Sequence, residues 1–172
     1  DCRCWFETLA GQLASALVRA FRDLSPARLS RSQLQLGGMG ANRRMRDTQG
    51  RIFSRNRTPQ DAVVIDEGCV DETLCVVLAQ RERKAPVVLT NYACHPVTLQ
   101  VQPMMSADYP GVGCSLVEQA LGAGSLCLFL QGAAGDVNPV NDDSRRFEDA
   151  ESFGMTLAGG ILQGLGQARL QE

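Results

Sequence analysis

Three short segments gather the residues able to do chemistry. The first, Asn91-Tyr92-Ala93-Cys94-His95-Pro96-Val97-Thr98, carries the chain's only histidine. The following proline biases His95 toward an extended backbone. An imidazole serves as acid, base or metal ligand, and a lone one serves as readily in a structural role; spacing alone leaves both open. Cys94 is no partner for it in a thiol–base pair, because adjacent residues of an extended chain point to opposite faces. The second segment, Met105-Ser106-Ala107-Asp108-Tyr109-Pro110-Gly111, sets Asp108 just before a helix. There a carboxylate either caps free amides at the positive end of the dipole or serves a site. The third, Phe129 to Pro139, reads Gln131-Gly132-Ala133-Ala134-Gly135-Asp136-Val137-Asn138-Pro139. Its glycines allow tight turns and close backbone approach, but it lacks the Gly-Lys-Ser/Thr ending of a phosphate loop.

Each segment needs an element to hold it. Glu72 to Ala79, Pro86 to Tyr92 and Leu126 to Gln131 are short aliphatic runs bounded by turn residues, which predicts buried strands. Each of the three segments therefore places polar residues just past a buried strand, the usual place for a ligand in an α/β sheet. Pro110 to Leu121 reads as a helix with proline in its first turn. Phe147 to Leu170 reads as a closing helix whose later half Gly159, Gly160, Gly164 and Gly166 weaken. Upstream, Leu9, Leu13, Leu17, Phe21 and Leu24 recur every three or four places and draw one stripe down a helix from Trp5 to Leu24, ended by Ser25-Pro26. Arg28 to Leu36 alternates as a half-buried strand does. This order predicts a layered α/β domain, a mixed sheet flanked by helices, with residues 1–172 as a single domain and no internal repeat.

Gly37 to Asp61 differs from its surroundings. It holds Arg43, Arg44, Arg46, Arg51, Arg55 and Arg57 with few large apolar side chains, and reads as a long excursion with a short hairpin. Its arginines form either a solvated surface or an anion-facing one. Seven cysteines, at 2, 4, 69, 75, 94, 114 and 127, match no standard zinc spacing. Their placement in apolar runs favours mostly buried thiols over a disulfide framework.

Composition narrows the classes. A net charge of −2 gives no reason to expect nucleic acid as a partner. No apolar run reaches the length of a transmembrane segment. The chain opens at Asp1 without a methionine or a leader, and helical sequence begins almost at once, so it is expected to be cut from a longer polypeptide.

Taken in order and spacing, the three segments, with Gly40-Ala41-Asn42-Arg43-Arg44 and Arg55-Asn56-Arg57 upstream, resemble the bacterial branch of the neutral/alkaline non-lysosomal ceramidase-like family over nearly the whole chain. The resemblance implies part of a catalytic domain, with pieces upstream and downstream missing. It implies a zinc-dependent amidase that splits a lipid amide such as ceramide, working in a secreted, periplasmic or cell-surface setting. His95 matches that family's zinc-binding histidine, and zinc would activate water and polarise the amide carbonyl. The family's other ligands, a histidine upstream and a glutamate and tyrosine downstream, have no matching positions; Tyr92 and Tyr109 belong to other motifs. Where the family carries a serine in Gly-Asp-Val-x-Pro, this chain has Asn138, which can donate to a developing oxyanion but cannot act as a nucleophile. The expected assignments are zinc on His95, catalysis through Asn138 and Asp136, and substrate contacts at Gly135, Asp108 and Tyr109, with the isolated chain inactive. The alternative is a non-catalytic binding module of the same fold that uses the arginine-rich segment for an anionic or lipid ligand.

Overall fold

The computed structural model describes residues 2–99, 103–140 and 146–170. Helix α1 spans Cys2–Arg22. Strand β1, Ala27–Gln35, follows, then a run of short strands: β2 at Gly40–Asn42, β3 at Arg44–Asp47, β4 at Ile52–Ser54 and β5 at Val64–Asp66. Next come β6 at Thr73–Arg81, β7 at Val87–Tyr92, helix α2 at Asp108–Leu121, β8 at Leu126–Gln131 and β9 at Val137–Pro139. Helix α3, Phe147–Gln167, and the two-residue β10, Arg169–Leu170, close the chain.

The main sheet has the order β10-β1-β6-β7-β8, antiparallel throughout except for the parallel pair β7 and β8. This confirms a mixed α/β layered fold. A parallel pair needs a crossover of a dozen or more residues, and α2 lies within it. The two strands therefore end on the same edge, with Tyr92 opposite Gln131. Alternation sends Leu74, Val76, Val88, Thr90, Tyr92 and Cys127 to one face, where all are buried, and α2 and α3 cover that face with Tyr109, Val117, Leu157 and Ile161.

The glycines of α3 do not weaken it; the helix runs unbroken to Gln167. A Cβ at Gly160 would come within 2.9 Å of Leu74, and one at Gly164 within 2.9 Å of Val76. The helix thus lies closer to the sheet than any side chain allows, and Ser32 Oγ donates to the Gly164 carbonyl at 2.8 Å. Tertiary packing here overrides helix propensity.

Helix α1 forms where the periodicity predicts it, but its apolar stripe is left open: Leu17 is 72% and Phe21 76% exposed. The arginine-rich segment holds the expected hairpin, β3 with β4, and goes beyond it, since β3 also pairs with β5, and β2 pairs with β9. Strands of three or four residues are too short to display alternation in sequence. The opposite face of the main sheet is also apolar and open, with Leu126 and Leu128 each 48% exposed. The cysteines divide: Cys94 and Cys127 are buried, Cys75 and Cys114 half-buried, and Cys4 and Cys69 exposed. The side chain of Cys2 lies outside the described atoms.

Candidate functional site

The chain leaves β7 and β8 side by side. The Gly132 amide donates to the Tyr92 carbonyl at 2.9 Å. A Cβ on Gly132 would sit 3.0 Å from the backbone atoms of Tyr92 and Ala93; main chain meets main chain here, and only glycine allows it. From the end of β8, Gln131 Nε2 donates to the Cys94 carbonyl at 3.2 Å. Beyond that junction His95 turns to the returning strand β9. Its amide donates to the Val137 carbonyl at 3.0 Å, and its ring Nδ1 lies 3.2 Å from the same oxygen. A carbonyl only accepts, so Nδ1 is the nitrogen that donates in this contact, and in the neutral ring the lone pair then sits on Nε2. Metal-binding histidines are commonly fixed this way, with one ring nitrogen on a backbone carbonyl and the other free to ligate. His95 itself is half-buried.

Strand β2 holds the loop between β8 and β9 from the other side. Asn42, buried, donates through Nδ2 to Asp136 Oδ2 and to the Cys69 carbonyl, each at 3.0 Å. Its Oδ1 accepts the Arg44 amide at 2.8 Å. Arg43 donates through its amide to the Asp136 carbonyl at 2.7 Å, and through Nη2 to the Gly135 carbonyl at 2.9 Å. Asn138 is half-buried opposite Ala41, and the space where a Gly135 Cβ would point is open. Beside this loop lies a cavity of about 310 Å³ whose lining includes Asn42, Arg44, Arg46, Cys69 and Asp136.

Asp108 and Tyr109 open α2 and face inward. Asp108 has φ +52°, in the left-handed region. Its Oδ2 accepts the Leu99 amide at 2.9 Å and its Oδ1 the Tyr109 amide at 2.8 Å. One carboxylate thus ties the end of the His95 segment to the first turn of the helix. The Tyr109 hydroxyl donates to the Cys94 carbonyl at 2.6 Å. Burial pushes the Tyr109 phenol far above its ordinary value and the Cys94 thiol up to about 12. Cys94 therefore keeps its proton and offers no nucleophile. Tyr92, also buried, donates to the Leu36 carbonyl at 2.7 Å.

No protein-family model and no curated protein matches this chain. Four solved chains do. The crystal structure of neutral ceramidase from Pseudomonas aeruginosa aligns over 91% of this chain and 26% of its own, with a TM-score of 0.66 and 19% identity. A structure described as ceramidase complexed with C2 aligns over 90% of this chain and 25% of its own, with a TM-score of 0.66 and 20% identity. The chain has the fold of one part of a ceramidase. It spans about a quarter of the length of those solved structures.

On this ceramidase-like fold, all three segments singled out in the sequence converge on the edge where β7 and β8 end. His95, Asp136 and Asn138 come together through β9 and its preceding loop, while Asp108 and Tyr109 reach the same segment from behind. Among the described residues no group of three or more His, Cys, Asp and Glu side chains is placed to hold a metal ion. Two residues that organise the site were not singled out by their own chemistry. Asn42 stood only within a quoted motif, and Gln131 only as the first residue of the third segment and the end of a strand.

Proposed function

We propose that this chain contributes one zinc-binding imidazole and the amide-positioning loop of a ceramidase-like amidohydrolase that acts on lipid amides such as ceramide. The observation carrying this reading is the state of His95. Its Nδ1 is committed to the Val137 carbonyl at 3.2 Å, which leaves Nε2 as the ring nitrogen that would ligate zinc. One imidazole supplies one of about three protein ligands that a catalytic zinc needs; the others would come from polypeptide beyond these residues. When bound, zinc lowers the pKa of a water and polarises a carbonyl.

The chain's own residues then have distinct parts. Asn138, on the strand that carries the His95-binding carbonyl, donates a hydrogen bond to the charge developing on the amide oxygen. Gly135, with open space at its Cα, lets that substrate approach the backbone. Asp136 keeps the loop in place through Asn42. Asp108 and Tyr109 are buried and commit their polar atoms to Leu99, Tyr109 and Cys94. We therefore assign them to positioning the His95 segment and not to touching substrate.

The alternative, an anion-binding module built on the arginine-rich segment, has less support. Arg46, Arg51 and Arg55 are paired with Asp66, with Asp47 and Asp61, and with Glu67. Their charge is largely answered within the segment.

The deciding experiment places His95→Ala in the longer natural polypeptide and measures zinc content and hydrolysis of an N-acylated sphingoid base. Zinc content and hydrolysis should both be lost; retained hydrolysis at full rate removes the ligand assignment. The 172-residue chain, titrated with zinc, should show no tight stoichiometric site, and a submicromolar one dependent on His95 would refute the need for outside ligands.

A further inference from the structure

Helix α1 and the outer face of the main sheet are both apolar and both bare. Of residues 3–22, every one but Leu9 is exposed. Trp5, Phe6, Leu13, Leu17 and Phe21 share one side of the helix. A helix draws most of its stability from packing such a side against something. On the sheet, the register sets Ala79, Val87 and Leu126 in one row and Val77, Leu89 and Leu128 in the next. Alternation turns both rows away from α2 and α3. Neither row carries a charge, and Leu126 and Leu128 are exposed.

The two faces do not meet within one molecule, and the end of α1 is pinned. Lys84 Nζ donates to Asp23 Oδ1 at 2.6 Å and to the Asp23 carbonyl at 2.8 Å. Arg81 Nη1 donates to Asp23 Oδ2 at 3.1 Å, and the Glu82 amide to the Pro26 carbonyl at 3.2 Å. These bonds fix the end of the helix to the turn between β6 and β7. Swinging α1 back onto its own sheet pivots the chain at Asp23 and costs them; a second copy takes the stripe with them intact. Size points the same way. With about 150–250 Å² for each large aromatic side chain, scaled by its exposure, two stripe-on-sheet contacts cover on the order of 1,500 Å². Stable interfaces cover about 1,200–2,000 Å², and one such contact alone falls short of that.

We propose that two copies of this chain exchange α1, each laying its apolar stripe across the open sheet face of the other. The same two surfaces meet twice, so the pair is closed by a two-fold axis and grows no further. Each main sheet then has helices on both faces, as layered α/β domains do. Strands β7 and β8, which deliver the His95 segment and the loop at Gly132, gain a second supporting layer from the partner.

The test uses the 172-residue chain, kept reduced so that the exposed Cys4 cannot link copies. Light scattering should give twice the chain's 18.6 kDa, and the pair should persist down to about 1 μM. Leu17→Asp with Phe21→Asp removes the stripe, and Leu128→Lys spoils the sheet face. Each variant should weaken the pair roughly 100-fold or more. A second measurement needs no disruptive variant. Chain carrying Phe21→benzoylphenylalanine, half of it ¹⁵N-labelled, is irradiated and digested. Cross-links should join α1 of one isotope to β7 or β8 of the other. A monomer at every concentration, a pair indifferent to both variants, or cross-links confined to single isotopes would overturn the exchange. So would a monomer whose α1 instead binds vesicles of anionic phospholipid, which would give the stripe to a lipid surface.

Discussion

Two irregular stretches of this chain are held by opposite means. Residues 92–99, which carry His95, hang on neutral donors: two buried hydroxyls, Tyr109 on the Cys94 carbonyl at 2.6 Å and Tyr92 on the Leu36 carbonyl at 2.7 Å, and the exposed Gln131 on the Cys94 carbonyl at 3.2 Å. Burial drives both phenols far above their ordinary values, so they remain donors wherever the protein is folded. Residues 43–67 hang instead on ion pairs, Arg46 with Asp66 at 3.0 Å, Arg51 with Asp47 at 2.6 Å and with Asp61 at 3.1 Å, and Arg55 with Glu67 at 2.7 Å. The first kind of support is indifferent to salt and moderate acid; the second is open to both. A segment proposed to carry a metal ligand would gain from the former, because its geometry must persist while solution conditions vary.

Asn42 stands at the seam between the two regions, and its loss should have the largest effect. Asn42→Ala leaves the Cys69 carbonyl, the Asp136 carboxylate and the Arg44 amide, all bonded in a part-buried setting, each short of a partner. Unsatisfied buried polar groups cost about 1–3 kcal/mol apiece, with partial relief from water. A loss of roughly 2–4 kcal/mol in urea unfolding is expected. A loss below about 0.5 kcal/mol would mean that the β8–β9 loop is held by its strand pairing alone.

Tyr109→Phe probes the neutral network by itself. It removes one hydrogen bond to the Cys94 carbonyl, while Gln131 still donates to that oxygen at 3.2 Å. The expected loss is about 1–2 kcal/mol, the same at low and high salt. Amide exchange at Val97 and Leu99 should quicken in this variant, while exchange at Arg51 and Gln49 stays as it was. Equal quickening in both regions would dissolve the distinction between them.

The sequence made the chemistry-bearing segments legible because each followed or preceded a long element with clear periodicity. Strands β7 and β8 were readable as aliphatic runs with turn residues at both ends, and α2 by the proline in its first turn. The inward role of Asp108 was not readable. Its partner Leu99 lies nine positions away, and sequence next to a helix start cannot distinguish a carboxylate tied to a distant loop from one that caps its own helix. Of the short strands, β3 and β4 fall where the sequence suggested a short hairpin, whereas β2 was hidden because its partner β9 is supplied from far along the chain. The exposed stripe of α1 shows the converse, since periodicity reveals that a face is apolar but not what lies against it.

Acid should separate the two regions without unfolding the sheet. Burial works to raise Asp47, but hydrogen bonds from Arg51, with the amides of Arg51 and Gln49, outweigh it and hold its carboxyl below the usual range. A carboxylate with a depressed folded value contributes stability that is present above its unfolded value, near 4, and is lost as pH falls through the folded one. Below about pH 4, exchange at Gln49 and Arg51 should therefore accelerate before exchange at Val97 and Leu99. The reverse order would show that the His95 segment, not the arginine-rich sheet, is the acid-labile part.

The smallest effect belongs to a single exposed ion pair. Arg55 Nη2 meets Glu67 at 2.7 Å with the two side chains 35% and 63% exposed. Such a pair contributes about 0–1 kcal/mol, because solvent screens the attraction and two long side chains lose freedom to hold it. Arg55→Ala should therefore lower stability by less than about 1 kcal/mol at low salt, and much of that difference should vanish in about 0.5 M sodium chloride, where the screening length is only a few ångströms. The Tyr109→Phe deficit, measured in the same two buffers, should not change. If instead Arg55→Ala carried a large, salt-independent penalty, its Nε contact to the Asn42 carbonyl at 3.4 Å would be the stronger tie. The arginine-rich sheet would then belong to the same neutral scaffold that holds His95.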